Sequence, residues 1–250
     1  MQALHTAKLG LIAQQERMNV TANNIANVNT TGYKSQRMDF KDALYTQILD
    51  PADLKKGGLE KGTGVLIAAT NSNLSQGTVQ NTGEDLDMYI NGDGYFCVAD
   101  ANGTVGYTRS GAFAVSAETD GNYLINANGQ YILDENSARI KVPSGTAEIS
   151  VNEDGTLLAD GKSFAKLGIV TFTNRDGLEA SGNGLYKETV ASGTPMKSGS
   201  KVKQGGLEAS NVDITEELTQ MIRAQKAFTM ASRAVSVWDD MAATTNNLRT

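Results

Sequence analysis

The stretch LHTAKLGLIAQQERMNVTANNIANVNTTGYK, Leu4 to Lys34, decides the architecture. Leu4, Leu11, Met18 and Ile25 recur every seven residues, with Ala7, Ala22 and Val28 between them. Apolar residues at that period form the seam of an amphipathic helix that has to bury one side against another helix. The run then meets Asn27, Asn29, Thr30, Thr31 and Gly32, residue types that favour caps and turns over helix interiors. The spacing predicts a helix ending near Asn29, with Gly32 in a left-handed turn.

The matching seam lies at the far end of the chain. Asp213 followed by Glu216 resembles a capping box, with Asp213 as N-cap. Ile214, Met221, Phe228, Val235 and Ala242 then recur every seven residues, and Leu218, Ile222, Ala231, Trp238, Met241 and Leu248 widen the stripe. Leu4, Leu11, Met18 and Ile25 are therefore the expected interface positions of the first helix. Those of the last are Ile214, Leu218, Met221, Ile222, Phe228, Val235 and Ala242. The expected fold is mixed α and β, with the terminal helices pairing as a coiled coil outside a central all-β domain.

Between the helices the signals change. Asp39 to Leu49 reads as a short helix before Asp50-Pro51, and DPADLKKGGLEKGTG after it reads as an extended connector. From Val65 to about Gly193 the chain carries nine Asn-Gly or Asp-Gly dipeptides, beginning at Asn91, Asp93, Asn102, Asp120, Asn128, Asp154, Asp160, Asp176 and Asn183. Such pairs supply the positive φ angles of tight hairpin turns. Strands are predicted between them at Leu86–Ile90, Tyr95–Ala99, Tyr123–Ile125, Gln130–Leu133 and Lys166–Phe172. The expected domains are thus 1–35 with 211–250 (helical), 36–64 (connector), 65–193 (all-β) and 194–210 (return connector).

Composition narrows the function. Apolar residues at 40% and charged residues at 20% are globular values. A net charge of -6 without a basic cluster argues against nucleic-acid binding. One cysteine, Cys97, allows neither an internal disulfide nor a multi-thiolate metal site. One histidine, His5, leaves little for histidine catalysis. No apolar run is long enough to span a membrane, and Leu9 to Ala13 is too short for a secretory signal. On composition alone the chain reads as cytoplasmic.

Candidate chemistry is sparse. Glu84, Asp85 and Asp87 could in principle hold Ca²⁺ or act as a glycosidase pair, but a solvated turn before a strand explains them better. Gly92-x-Gly94 leads into a strand and so lacks the helix N-terminus of a phosphate site. Cys97 has no base near it in sequence and reads as a small buried strand residue. No catalytic, cofactor-binding or metal-binding residue is assigned, no cofactor is expected, and the chain is read as a non-enzyme.

Four stretches carry a resemblance to the bacterial flagellar rod and hook family. ANNIANVNTTGYK resembles its N-terminal signature, through Ala22, Asn23, Asn24, Ile25, Ala26, Asn27, Asn29, Thr30, Gly32 and Tyr33. LSQGTVQNTGEDLDMYINGDGYFCV (Leu74 to Val98) and YTRSGAF (Tyr107 to Phe113) resemble the opening of its β-domain. QGGLEASNVDITEELTQMIRAQKAF (Gln204 to Phe228) resembles its C-terminal motif. The extra stretch from about Thr46 to Val65 and the total length are most similar to the distal-rod members, with proximal-rod members the runner-up. The resemblance implies a structural subunit that polymerises through its terminal helices into a helical tube transmitting torque from motor to hook. It implies export across the inner membrane by the flagellar type III apparatus, and a place in the basal body. The implied partners are further copies of the chain, neighbouring rod and hook proteins, and outer ring proteins. The competing class is a secreted β-rich enzyme or carbohydrate-binding module with helical arms.

Overall fold

The computed structural model describes residues 2–48, 59–146 and 148–247. Residues 49–58, inside the expected connector, and Leu248 of the expected C-terminal stripe lie outside the described residues. The chain forms two compact units, each discontinuous in sequence. One gathers the described residues of 1–26, 36–72 and 213–250; the other gathers those of 27–35 and 73–212.

In the first unit α1 (Gln2–Ala26) packs against α2 (Ile214–Asn247). Asp213 caps α2 as its side chain predicts: its Oδ1 accepts from the amides of Thr215 (2.8 Å) and Glu216 (3.3 Å). Beside the helices runs an antiparallel ribbon, Gln36–Asp42 against Val65–Ser72, with a bulge between Asp39 and Phe40. Thr46–Ile48 against Leu59–Lys61 continues it. The expected helix over Asp39–Leu49 is instead strand at Asp39–Asp42 and Thr46–Ile48, with irregular chain between them. Its residues alternate from Arg37 to Lys41 with Met38 and Phe40 on one side, a period of two rather than 3.6. The 36–64 connector is thus strand at both described ends, and Val65–Ser72 pairs here rather than within the β-domain.

The second unit is built on strand Tyr95–Ala99, all five residues buried. One edge pairs with Val105–Thr108; the other is shared end to end by Tyr131–Ile132 and Ile169–Thr171. Strand alternation sends its side chains into two cores. Phe96 and Val98 join Met88, Ile90, Phe113, Leu124, Ile132 and Leu157 on one face. Tyr95, Cys97 and Ala99 join Tyr107, Phe172 and Tyr186 on the other, where the rings of Tyr107 and Phe172 meet edge to face at 4.9 Å. Two of the expected turns are tight hairpins with both central residues at positive φ: Asp160-Gly161 (49°, 79°) and Asn183-Gly184 (53°, 70°). The 194–210 return segment, expected as a connector, carries the strands Met196–Lys197, Lys201–Gln204 and Gly206–Glu208. Lys201–Gln204 pairs with Met88–Asn91, and Gly206–Glu208 pairs with Val79–Asn81.

Phe96 is fully buried and meets Phe113 at 5.1 Å. Phe96→Ala should therefore lower the unfolding free energy of this unit by about 3–5 kcal/mol, read as a shift of the urea midpoint with unchanged slope.

Candidate functional site

Two arrangements collect the residues singled out in the sequence, one in each unit. In the first unit the helices run antiparallel. Arg17 Nη2 donates to Gln220 Oε1 at 2.5 Å, while Asn24, further along α1, donates to Glu217, earlier on α2, at 2.8 Å. That register sets Ala13 level with Ala224, and both are essentially inaccessible. Small side chains there let the helix backbones approach. Leu4, Leu11, Met18 and Ile25 are half-buried, as are Met221, Phe228 and Val235. Ile214, Leu218 and Ile222 are 46%, 47% and 57% exposed, and Ala242 is also exposed. Met230, Val237 and Met241 are exposed as well, so α2 is apolar on the side facing α1 and on the side away from it.

In the second unit residues 27–35, most of the signature, lie as a strap on the β-structure. Gly32 adopts φ +70°, as its sequence context predicts, and a Cβ there would fall 2.6 Å from the Ser110 amide nitrogen. Its amide donates to the Glu208 carbonyl at 2.8 Å, and the Thr31 and Ser110 hydroxyls pair at 2.9 Å. Asn29 and Thr30 are exposed, whereas Gly32 is buried. Of the remaining signature residues, Asn24 is buried on α1, Ala22, Asn23 and Ala26 are exposed, and Asn27 and Tyr33 are half-buried.

The strap is fastened by a cluster that sequence reasoning missed. Glu208 Oε1 accepts from Lys34 Nζ at 2.5 Å and from the Gly77 amide at 3.0 Å, and its Oε2 accepts from Arg109 Nε at 2.6 Å. The side chains of Lys34, Glu208 and Arg109 are 2%, 1% and 6% exposed. Lys34 also donates to the Ser75 carbonyl at 2.7 Å. Arg109 spreads its remaining N–H groups over the carbonyls of Ile90, Gly92 and Gly94. Desolvation holds the Lys34 ammonium below the usual lysine range, partly opposed by its hydrogen bond to Glu208. Each member belongs to a different family-like stretch: Lys34 ends the signature, Arg109 stands in YTRSGAF, and Glu208 stands in GGLEAS. That shared membership was the signal available; a charge in each of three motifs invites a search for pairing.

The other candidates do not gather into a centre. Glu84, Asp85 and Asp87 rim a cleft of about 420 Å³ floored by Phe113, Val115 and Ile149, and Asp87 accepts the Thr82 hydroxyl at 2.6 Å. Burial pushes the Cys97 thiol up to about 12, which makes it a poor nucleophile. Among the described residues no group of three or more His, Cys, Asp or Glu side chains is placed to hold a metal ion, and no described helix is long and apolar enough to cross a membrane.

Removing the carboxylate would strand two buried cations. Glu208→Ala should destabilise the second unit by about 3–5 kcal/mol, measured by thermal unfolding, and should open residues 27–35 to limited proteolysis.

Comparison with known proteins agrees along the whole chain. Residues 4–34 match the model of the flagella basal body rod protein family, residues 89–159 that of the flagellar hook protein FlgE/F/G D1 domain, and residues 203–248 that of the flagellar basal body rod FlgEFG protein C-terminal. The flagellar basal-body rod protein FlgG of Agrobacterium fabrum is 37% identical, covering 97% of each chain. FlgG of Bacillus subtilis is 36% identical over 100% of this chain and 99% of its own. FlgG of Buchnera aphidicola from Acyrthosiphon pisum is 35% identical over 96% of each. With motifs, fold and end-to-end similarity in agreement, the chain belongs to the flagellar basal-body rod protein family.

Proposed function

We propose that this chain is the subunit of the distal rod, polymerising through α1 and α2 into a helical tube that carries torque from motor to hook. It is a structural protein of the flagellar basal body, not an enzyme. Distal placement is supported by relatives named FlgG that match this chain over nearly its full length. The observation that carries the assembly reading is the apolar surface that α2 leaves exposed. Ile214, Leu218 and Ile222 near the start of the helix and Met230, Val237 and Met241 further along it expose large side chains, and exposed apolar groups of that kind mark association sites. α2 is also nine residues longer than α1, so its C-terminal end has no length of α1 left to cover it.

On this reading the helix pair is a coiled coil completed by neighbouring copies, at Leu4, Leu11, Met18 and Ile25 of α1 and at Ile214, Leu218, Met221, Ile222, Phe228, Val235 and Ala242 of α2. The β-rich unit forms an outer layer. The chain crosses the inner membrane through the type III apparatus, and its neighbours are other rod and hook proteins and outer ring proteins.

A strain lacking the chain distinguishes the positions when its basal bodies are viewed by electron microscopy. A rod cut short below the hook is the expected result; absence of any rod would place the subunit proximally, and a complete flagellum would defeat both placements. Leu11→Glu or Phe228→Glu, each burying a charge between helices, should abolish swimming while the β-rich unit keeps its thermal transition. Normal swimming by either variant would rule out assembly through the helix seam.

A further inference from the structure

The seam of the first unit carries a polar layer at Asn24, one heptad along α1 from the partly buried Arg17–Gln220 pair. Asn24 is 1% exposed. Its Nδ2 donates to Glu217 Oε1 and to the Gln36 carbonyl, each at 2.8 Å, and its Oδ1 accepts from the Gln36 amide at 2.9 Å. Thr21, also buried, is a second hydrogen-bond partner of Glu217. One amide side chain thus joins α1, α2 and the first strand of the ribbon.

A carboxyl and an amide withdrawn from water add little net stability, and well-packed apolar residues commonly do better in their place. What they supply is choice. The seven-residue repeats on the two helices are nearly interchangeable among themselves: Leu4, Leu11, Met18 and Ile25 on one, Met221, Phe228 and Val235 on the other. Apolar packing alone would tolerate a slide of one heptad. Such a slide brings Asn24 level with Ala224 in one direction, and carries it past the start of α2 in the other. Either way Asn24 and Glu217 lose each other, and in the first case the Asn24 amide is left facing an alanine, which is costly. A buried polar residue in a largely apolar seam is a known way to select one register.

We propose that Asn24, acting with Glu217, is the register pin of the helix pair, fixing the axial setting of α2 on α1 and, through Gln36, the point at which the ribbon leaves. The role is one of positioning. It concerns the free chain and stands or falls apart from the assembly reading.

The test is the distance between nitroxide labels on the full-length chain carrying Gln15→Cys and Arg233→Cys, two exposed positions offset along the helix axis. Buried Cys97 stays unlabelled, checked on the chain without added cysteines. The parent should give one narrow distance. Asn24→Leu with Glu217→Leu should keep the helical circular dichroism and split the distance into two populations, the second shifted by up to the about 10 Å of one heptad. Glu217→Gln, which keeps the acceptor for Asn24, should stay narrow. The proposal is overturned by a double variant that holds the parental distance, by one that loses helical signal, by splitting in Glu217→Gln, or by a parent with no defined distance.

Discussion

One buried carboxylate holds the β-rich unit to the signature. Glu208 sits between the Lys34 ammonium and the Arg109 guanidinium with almost no access to water. Ion pairs in such a place gain little net energy, because desolvation of both charges offsets their attraction, yet removing one partner is expensive. The cluster therefore acts less as a source of stability than as a condition the chain has to meet. Docking residues 27–35 brings the Lys34 ammonium to one carboxylate oxygen while Arg109 holds the other. Arginine and lysine are not exchangeable here. Arg109 needs its planar fork to reach Glu208 and three backbone carbonyls at once, whereas Lys34 places a point charge at the end of a flexible stem.

The first unit meets the same problem with a neutral group. Asn24 takes the place of a buried charge, and its amide can donate and accept together, so it satisfies a strand backbone and a carboxyl side by side. Further along the seam the helices close on alanine at Ala13 and Ala224. The two units thus share a plan: an apolar contact that supplies most of the cohesion, and one polar residue group that decides how the contact is made. The family-like motifs are where those polar groups lie.

Much of this was legible in sequence, for reasons of range. Helix period and cap are local, so α2 could be read from Asp213 and its sevenfold repeat. Hairpin turns are local too, and Asp160-Gly161 and Asn183-Gly184 take the positive φ angles their residue types favour. Gly32 was legible for the same reason. The ribbon at Gln36–Asp42 was missed because its alternation is short and followed by residues that also suit a helix. The α1 terminus fell at Ala26 rather than near Asn29 because Asn27 already turns, its carbonyl accepting from the Thr30 amide at 3.1 Å. The Lys34, Arg109 and Glu208 cluster was invisible residue by residue. Each reads as an ordinary surface charge until the fold removes water from all three.

The distance along the chain between these partners sets an order of events. Lys34 and Glu208 are 174 residues apart, and Arg109 and Glu208 are 99 apart. Contacts of such separation form late, because the chain between them has to be ordered before closure is rewarded. Delivered from its N-terminus, by whatever route, the chain has to release more than four-fifths of its length before the strap can be fastened. Until then the signature has nothing to grip, and the β-rich unit is unfinished at the edge where its first and last segments meet.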